Sequence, residues 1–432
     1  MMHSGPTNSS ALSYLLGLAQ NEVEQALLRL EASGTVLRGN FTGNAPGNDP
    51  HNCEWCERRL LSRIHHLTLA TLRKQIEPVT AAQYMRWLLR WQHVAPQSQA
   101  AGERGLLDVV CQLQGFEIPA NAWEKCVLAS RVNGYDPAAL DQLCLTGSVG
   151  WGRLSPHPAT LEDAGESRRR VVPTSVAPIT LFVREDADWM QPRSAESDER
   201  QQQLLSQSGR AVFGFLRGRG ASFFADIVRG TGKPKAEIET SLWELVAAGL
   251  VTADGFQNLR SLINPNRRST PGGITKVAKP RNTAGRWSLL YTDAAADRHQ
   301  AVEATCWMLL RRYGLVFREV LARESNLPKW RELLISFRRL EDRGEVRGGR
   351  FVNSFLGEQF ALPEAVESLR AMRNLQPTGE TVTISAADPL NLVGIIVPGE
   401  RVPAISGRFV TFCDGIPVDA AASTMLREAA AP

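Results

Sequence analysis

The sequence has no apolar run of about eighteen residues, so it predicts no membrane-spanning helix. Its first residues, MMHSGPTNSS, lack the charged and then apolar stretches of a secretory signal peptide. A GxxxxGK[ST] phosphate-binding loop is also missing, because GTGKP at 230–234 has no glycine at the required earlier spacing. Its seven cysteines are few for a chain of 432 residues, which is typical of a reducing cytosol. These absences favour a cytoplasmic protein without a P-loop ATPase site of its own.

The sequence also lacks a complete zinc-binding motif. Cys53 and Cys56 have the spacing of half a site, and His65 and His66 follow them. The intervening residues predict a helix, in which His65 would lie more than about 10 Å from Cys56. Ligands of one zinc ion must all lie within about 2.3 Å of it, and no second CxxC pair occurs. No metal site is therefore predicted.

The segment 330–351, WRELLISFRRLEDRGEVRGGRF, predicts a helix followed by a short β-ribbon. Phe337, Leu340 and other apolar residues recur at spacings of three and four, which places them on one helical face. Gly344 lies where a helix ends in the left-handed conformation. Two short strands around a Gly348-Gly349 turn are expected next. A helix that runs into a ribbon in this way is typical of a winged helix.

The same arrangement of leucine, glycine, valine and a large apolar residue, here called the winged-helix frame, occurs four times. The matching residues are Leu30, Gly34, Val36 and Phe41; Leu143, Gly147, Val149 and Leu154; Leu245, Gly249, Val251 and Phe256; and Leu340, Gly344, Val346 and Phe351. The glycines are roughly a hundred residues apart, which is too far for a solenoid repeat and fits one small domain per copy.

The predicted fold is mainly α with small β elements (α+β), with tandem winged-helix domains followed by a C-terminal β-barrel-like module. In chain order, a partial winged helix is expected at 1–43 and a helical segment at 53–95. The second winged helix is expected at 102–184, the third at 185–263, a linker at 264–284 and the fourth winged helix at 285–375. The barrel is expected at 376–425, with additional strands near 285–291. A winged helix has another helix before those predicted in 10–43. The chain is thus either the C-terminal part of a longer protein or a full-length protein with an unusual first domain.

Arginine is clustered, although the net charge is only +4. The candidate nucleic-acid-binding residues are Arg59, Arg63, Arg73, Arg338, Arg339, Arg343, Arg347 and Arg350. Local basic patches of this kind can contact phosphates. The alternative for each cluster is a solvated helix face without a ligand.

The sequence contains five long and distinctive stretches, which are WCERRLLSRIHHLTL, RWLLRWQHV, LQGFEIPANAWE, RRLEDRGEVRGGRFVNSFLGEQFALPEAVE and DPLNLVGIIVPGERVPA. Together they resemble the C-terminal region of the bacterial long Lhr (large helicase-related) proteins, a group of superfamily-2 helicases. The resemblance covers nearly the whole chain. It implies DNA, single-stranded or lesion-containing, as the partner, a homo-oligomer, and a cytoplasmic, nucleoid-associated location. The ATP and Mg²⁺ sites of that family belong to a helicase core that this chain lacks, so no cofactor is expected here.

A weaker similarity relates the chain to the AlkZ-type family of winged-helix DNA glycosylases. Gln112 and Gln114 resemble that family's Gln–apolar–Gln motif, and Arg131, Tyr135, Asp136 and Leu140 follow at similar spacings. Asp414-Gly415 resembles an Asp-Gly turn of its C-terminal barrel. The similarity implies that Gln112, Gln114 and Asp414 are candidate catalytic residues.

A glycosylase must extrude the base and stabilise an oxocarbenium-like sugar while water attacks. Paired amides could orient that water, and a carboxylate could act as the base. Gln112 and Gln114 diverge by about 200° on a regular helix, so they could converge only at a helix end, which Gly115 makes plausible. The alternative is that both are surface or capping residues and that Asp414 is an ordinary turn aspartate. Asp388 and Asp419 are further candidate carboxylates.

Two hypotheses follow. The first is a DNA-binding and assembly module of a helicase without chemistry of its own. The second is a DNA glycosylase acting on uracil or another damaged base. Winged helices also bind proteins, so the fold alone does not decide between these functions.

Overall fold

The computed structural model describes residues 5–42, 53–74, 77–158, 174–190, 202–263, 285–291 and 297–418. The chain divides into two compact units, Met1–Glu77 and Pro78–Pro432. The predicted linker 264–284 and the candidate Asp419 lie outside the described residues.

The first unit contains the first winged helix and one long helix. Its elements are strand β1 (Thr7–Asn8), helices Ser9–Leu16 and Gln20–Ala32, strands β2 (Val36–Gly39) and β3 (Glu54–Glu57), and helix Arg58–Lys74. Its buried core consists of Leu12, Val23, Leu27, Val36 and Trp55. The sequence placed 53–57 at the start of a helix, outside the first winged helix. The structure instead pairs this segment with β1 and β2, and the helix begins only after Glu57, whose carboxylate accepts a hydrogen bond from the Leu60 N–H.

The second winged helix is preceded by the helix Ala81–Trp91. Its elements are strand β4 (Ala100–Ala101), helix Gly102–Leu113, strand β5 (Ile118–Pro119), the π-helical turn Trp123–Leu128 with the short helix Ala129–Arg131, strand β6 (Val132–Asn133), helix Pro137–Leu145, and strands β7 (Val149–Gly152) and β8 (Pro178–Val183). The short strands β4 and β6 pair in parallel. The predicted helical segment 53–95 is therefore divided, because its first helix lies in the first unit and its second helix lies in the second.

The third winged helix follows a short 3-10 turn, Arg184–Asp186, and a helical turn, Ala187–Met190. Its elements are helix Gln207–Arg219, strand β9 (Ser222–Phe223), helices Phe224–Thr231 and Lys235–Ala247, strand β10 (Val251–Ala253), helix Phe256–Ile263 and strand β11 (Arg286–Leu289). The sequence assigned the strand near 285–291 to the barrel. In the structure β11 pairs instead with β10 and β9, so it completes the third winged helix.

The fourth winged helix is the segment in which the frame is clearest. Its elements are helix Arg298–Tyr313, strand β12 (Leu315–Val316), the 3-10 turn Glu319–Arg323, helix Trp330–Asp342, strands β13 (Arg347–Gly349) and β14 (Gln359–Ala361), and helix Pro363–Arg373. The expected Gly348-Gly349 hairpin turn is wrong, because Gly348 lies within β13 opposite Phe360. A Cβ at Gly348 would lie 2.3 Å from Oε1 of Glu341, so any larger residue there would displace the Glu341 carboxylate.

The four winged helices share one strand order, in which the third strand lies between the first and the second. These sheets are β1-β3-β2, β5-β8-β7, β9-β11-β10 and β12-β14-β13. The frame glycines all adopt the left-handed conformation, with φ of 70° at Gly34, 84° at Gly147, 71° at Gly249 and 76° at Gly344. The frame valines Val36, Val149, Val251 and Val346 are all at most 1% exposed. The predicted tandem winged helices are therefore confirmed in the part of the chain that the structure describes.

The described part of the tail is a small antiparallel sheet rather than a barrel. Strands β15 (Thr381–Ser385), β16 (Phe409–Cys413) and β17 (Ile416–Val418) pair in the order β15-β16-β17. Val382, Ile384, Val410 and Phe412 point to its buried face. No closed barrel is formed by the strands of the described residues, so the barrel-like module is not confirmed.

The first winged helix leaves exposed an apolar face whose equivalents within the third and fourth winged helices are buried. Tyr14 is 92% exposed, Leu15 74% and the frame leucine Leu30 39%. The matching leucines Leu245 and Leu340 are fully buried. In those two domains the helices Gln207–Arg219 and Arg298–Tyr313 pack against the helix that carries the frame leucine. The exposed face of the first winged helix is thus equivalent to the surface that packs against another helix in the third and fourth winged helices.

Candidate nucleic-acid interface

The helix Trp330–Asp342 has one buried face and one exposed face. Leu333, Phe337 and Leu340 are at most 1% exposed and face the core of the fourth winged helix. The opposite face carries Arg331, Ile335, Arg338 and Arg339, all of them exposed. Helix-turn-helix proteins place the outer face of the corresponding helix in the major groove of DNA.

Two of the predicted DNA-binding arginines are neutralised within the protein. Arg338 donates two hydrogen bonds to Glu358, at 2.6 and 2.9 Å. Arg343 donates to Glu345 at 2.7 Å and to Glu303 at 2.5 Å. The carboxylates of Glu345 and Glu303 raise the pKa of the Arg343 guanidinium. Both cations are therefore poorer phosphate ligands than their exposure suggests.

Four other arginines of this domain have no such partner. Arg331, Arg339, Arg347 and Arg350 are exposed, and none forms an ion pair with another described residue. Two lie on the helix, one on β13 and one directly after that strand. The sequence prediction omitted Arg331, although its spacing from Arg339 places it on the same helical face. Unpaired arginines on a helix and its wing are suited to phosphate contacts.

The equivalent helices of the other winged helices are less suited to DNA. The helix Gln20–Ala32 carries Glu22, Glu24 and Glu31 against one arginine. In the second domain the helix Pro137–Leu145 has no basic residue, and its Asp141 accepts two hydrogen bonds from Arg260. In the third domain most of the C-terminal half of Lys235–Ala247 is buried. The fourth winged helix is therefore the strongest candidate among the described residues.

The helix Arg58–Lys74 of the first unit provides a second basic surface. Arg59 and Arg63 are exposed and form no ion pair with another described residue. Arg73 is half-buried and does have a partner. Two of the three arginines predicted on this helix are thus available to a ligand.

Gln112 lies in the last turn of the helix Gly102–Leu113. Its Nε2 donates to the backbone oxygens of Trp91 at 2.9 Å and Arg311 at 3.3 Å. The helix ends directly after it, as predicted, with Gly115 at a φ of 84°. The Gln112 amide therefore fixes the helix Ala81–Trp91 and the helix Arg298–Tyr313 to its own helix.

The Gln114 side chain has different hydrogen-bond partners from those of Gln112. It is 1% exposed, and its Nε2 donates to the Asp186 carboxylate at 2.8 Å. Its Oε1 accepts a hydrogen bond from the Val183 N–H at 3.1 Å. The side chains of Gln112 and Gln114 therefore share no hydrogen-bond partner, although the helix end between them matches the prediction.

Asp414 occupies the turn between β16 and β17. Its carboxylate accepts hydrogen bonds from the N–H groups of Gly379 at 2.7 Å and Thr378 at 3.2 Å. Nε of Arg86 lies 3.2 Å from the same carboxylate. Burial raises the pKa of Asp414, but these two N–H groups and the Arg86 guanidinium outweigh it, so the pKa lies below its usual value. None of these partners contacts the Gln112 or Gln114 side chain.

A buried ion pair joins two residues that the sequence named separately. Arg131 donates to both carboxylate oxygens of Asp388, at 2.6 and 2.8 Å, and their side chains are 0% and 1% exposed. A third hydrogen bond, 2.9 Å long, runs from Arg131 to Oε1 of Gln92. The pair connects the second winged helix to the loop between β15 and β16, away from solvent.

Arg312 is a buried cation that the sequence prediction missed. It forms an ion pair with Glu324, and both side chains are at most 1% exposed. It also donates to the backbone oxygens of Gln112 and Leu113, each at 3.4 Å, and to that of Gln114. The only sequence signal is its position among apolar residues of the helix Arg298–Tyr313. Arg312 therefore satisfies the carbonyl groups at the end of the glutamine-bearing helix.

The remaining residues of the glycosylase-like motif also have structural contacts. The Tyr135 hydroxyl donates to Glu124 at 2.9 Å, and Glu124 in turn binds Arg260 of the third winged helix. Burial, together with Glu124, raises the pKa of Tyr135. Asp136 caps the helix Pro137–Leu145 by accepting a hydrogen bond from the Ala138 N–H.

Within the described residues, no group of three or more histidine, cysteine, aspartate or glutamate side chains is placed to hold a metal ion. None of the helices searched there is long and apolar enough to cross a membrane.

Comparison with known proteins relates the chain to helicase-associated winged helices. Residues 79–169 and 295–381 each match a family model described as "Large helicase-related protein, winged-helix domain". The chain is 29% identical over 449 residues to "Lhr helicase/ probable uracil glycosylase" of Mycolicibacterium smegmatis, an alignment that covers 95% of the chain and 28% of that protein. It is also 29% identical over 436 residues to "Lhr helicase/uracil glycosylase" of Escherichia coli, with 91% and 26% covered.

Among solved structures, the DNA glycosylase AlkZ of Streptomyces sahachiroi aligns with 79% of this chain and 87% of its own, with a TM-score of 0.45 and 14% identity. The chain spans only about a quarter of the length of the two curated relatives. Two of its segments thus match winged-helix models of the large helicase-related proteins, and the chain aligns with two Lhr helicases along nearly its whole length.

Proposed function

We propose that the chain is a DNA-binding region of a large helicase-related protein and that the fourth winged helix holds the DNA. The observation that carries this proposal is the set of four exposed arginines that have no carboxylate partner among the described residues, Arg331, Arg339, Arg347 and Arg350. They occupy the helix face and the wing that DNA-binding winged helices direct at the duplex. The proposed location is cytoplasmic and nucleoid-associated, and we assign no ATP or Mg²⁺ site to this chain.

The test is equilibrium binding to labelled single-stranded and duplex DNA at several salt concentrations. Each phosphate contact contributes about −0.9 to the slope of log K against log salt on duplex DNA, and about −0.7 on single strands. Replacing the four arginines by glutamine should weaken binding and flatten that slope. The matched control is the pair Arg59→Gln and Arg63→Gln on the first unit. An affinity that does not depend on salt concentration would contradict the proposal. Loss of binding only in the control variant would show that the DNA interface is the helix Arg58–Lys74.

Self-association is the second part of the proposal. The exposed apolar face of the first winged helix, which includes Tyr14, Leu15 and Leu30, supports it. Large exposed apolar patches on protein surfaces mark interaction sites. Light scattering of the purified chain tests it, and a monomeric mass at micromolar concentration would contradict it.

A second candidate function is DNA glycosylase activity on uracil. The observation that favours it is the name of both curated relatives, each of which includes a uracil glycosylase. Asp414 is the better catalytic carboxylate of this proposal, because its lowered pKa keeps it ionised at neutral pH and its side chain is 13% exposed. Asp388 is 1% exposed and fully engaged by Arg131. Gln112 and Gln114 are the proposed water-orienting residues, and the 1% exposed Gln114 amide would have to exchange Asp186 or Val183 for that water.

The test is incubation with a uracil-containing oligonucleotide, followed by alkaline cleavage of abasic sites. Cleavage at uracil that is lost in Asp414→Asn would support both the activity and the residue. Activity that survives Asp414→Asn and Gln112→Ala would contradict the site, and the absence of any cleavage would contradict the second candidate function.

A further inference from the structure

A groove of about 470 Å³ lies beside the outer face of the fourth winged helix. It runs between the helices Arg298–Tyr313 and Trp330–Asp342, and its lining includes Val302, Ala304 and Trp307 from one and Ile335 and Arg339 from the other. Small-molecule sites in proteins have volumes of about 300–1,000 Å³, so the groove can hold a group of nucleotide size.

The groove combines an apolar lining with an open mouth. Trp307, Val302 and Ala304 are half-buried, and Ile335 is 45% exposed. A partly exposed indole next to aliphatic side chains is a surface on which a flat, aromatic group can stack. Its apolar character distinguishes it from the phosphate-contacting surface proposed above.

The charges around the groove leave one cation without a partner. Glu332 accepts a hydrogen bond from Arg298 at 2.7 Å, and Glu303 accepts one from Arg343 at 2.5 Å. Arg339 forms no ion pair with another described residue. The carboxylates at the rim are thus already neutralised, and an anionic ligand would meet the free guanidinium of Arg339.

We propose that this groove receives an unstacked base of single-stranded DNA, with the base against Trp307 and Ile335 and the adjoining phosphate at Arg339. The continuity of the two surfaces favours DNA as the occupant, because Ile335 and Arg339 belong both to the groove and to the exposed helix face. Proteins that bind single strands combine aromatic stacking with a cationic path for the backbone in this way. The inference rests on the proposed DNA binding of the fourth winged helix and adds a preference for single strands.

The test compares the affinity of the full chain for a labelled oligonucleotide with that for the same sequence as a duplex. Base stacking on an aromatic side chain contributes about 1–3 kcal/mol, so Trp307→Ala should weaken single-strand binding at least about fivefold. Duplex binding should change less than about twofold. Trp307→Phe keeps a stacking surface and should restore most of the affinity. Leu145→Ala, on the second winged helix and 63% exposed, is the control that should change neither affinity.

A second variant guards against misfolding of the tryptophan mutant. Ala304→Leu keeps Trp307 and the helix but fills part of the groove, and it should cause the same selective loss. A 2-aminopurine base in the single strand should lose fluorescence on binding the wild type and keep it with Ala304→Leu.

The outcomes separate this inference from the proposed function. A chain that binds neither strand nor duplex contradicts DNA binding itself. A second outcome is that the wild type binds both strand and duplex while Ala304→Leu and Trp307→Ala change neither affinity, or change both affinities equally. Either result contradicts the base-binding groove but not DNA binding. If an apolar helical peptide from a partner protein, rather than the 2-aminopurine strand, quenches Trp307 fluorescence, the groove is a protein-binding site and the inference is wrong.

Discussion

Arg131 and Asp388 form a bidentate ion pair that is closed to solvent and joins two segments far apart in the sequence. Its two hydrogen bonds are 2.6 and 2.8 Å long, and Gln92 accepts a further hydrogen bond from the guanidinium. An unpaired charge buried at this position would be strongly destabilising. The second winged helix and the tail are therefore constrained to fold together.

Asp388→Ala should therefore destabilise the chain by about 3–5 kcal/mol, since it leaves Arg131 buried without its counter-ion. Denaturant unfolding of the wild type and the variant measures this. The double variant Arg131→Met/Asp388→Leu removes both charges and should regain most of the loss. A change below about 1 kcal/mol in the single variant would show that water reaches the pair.

The frame glycines allow a matched comparison of backbone strain and packing. At Gly344 a Cβ would meet no atom within 4 Å. Gly344→Ala should therefore lower the free energy of unfolding only through the strain of the left-handed backbone conformation, by about 1–2 kcal/mol. At Gly249 a Cβ would lie 2.7 Å from the Arg153 carbonyl oxygen. Gly249→Ala should consequently destabilise the chain more than Gly344→Ala in thermal unfolding. Equal losses would mean that the Arg153 backbone can move aside.

Arg338 and Arg339 are adjacent in sequence but should differ in their contribution to DNA binding. Arg339→Gln should weaken binding and reduce the salt slope by about 1, because a free guanidinium contacts one phosphate. Arg338→Gln should have a smaller effect, since Arg338 is already paired with Glu358. Binding titrations at several salt concentrations measure both. A larger loss for Arg338→Gln would show that the Glu358 ion pair opens when DNA binds.

Asp414 should make the stability of the chain depend on acid pH. Its pKa is lowered in the folded protein, so its contribution is fully present above the unfolded value of about 3.9 and is lost as the pH falls through the folded pKa. Asp414→Asn keeps the side-chain shape and should be less stable than the wild type at pH 7. The difference should shrink below about pH 4 in denaturant titrations. A difference that does not vary with pH would assign the loss to geometry rather than to charge.

The exposed apolar face of the first winged helix should control self-association. Leu15 and Leu30 are 74% and 39% exposed, so replacing both by glutamine should leave folding intact and lower the measured mass. Sedimentation of the wild type and the double variant compares them, with Leu356→Gln on the fourth winged helix as the control. An unchanged oligomer would place the contact on another surface.

Local sequence signals predicted the repeated architecture well. The frame depends on a glycine that ends a helix and on a valine that begins a buried strand, and both effects act within a few residues. Gly34 and Val36 therefore fold as Gly344 and Val346 do, although the surrounding sequences differ. Local signals failed where a strand's partner is distant, as in β11, which joins β10 across the interval 254–285.

The candidate sites were harder to predict because they depend on side-chain partners. The sequence could not show that Arg338 pairs with Glu358 while Arg339 has no carboxylate partner in the described part of the chain. Likewise, the spacing of Gln112 and Gln114 indicated a helix end but not that the two amides would bind different elements. Long-range pairs such as Arg131 with Asp388 have no signature in spacing at all.

The third winged helix shows where this fold accepts new sequence. Its strands β10 and β11 are hydrogen-bonded neighbours, yet 254–285, including the helix Phe256–Ile263, lies between them. The entropic cost of closing such a loop grows only with the logarithm of its length. The wing is thus an insertion point at which an evolving protein can gain a peptide, or an experimenter can place a fluorophore tag, without changing the register of the sheet.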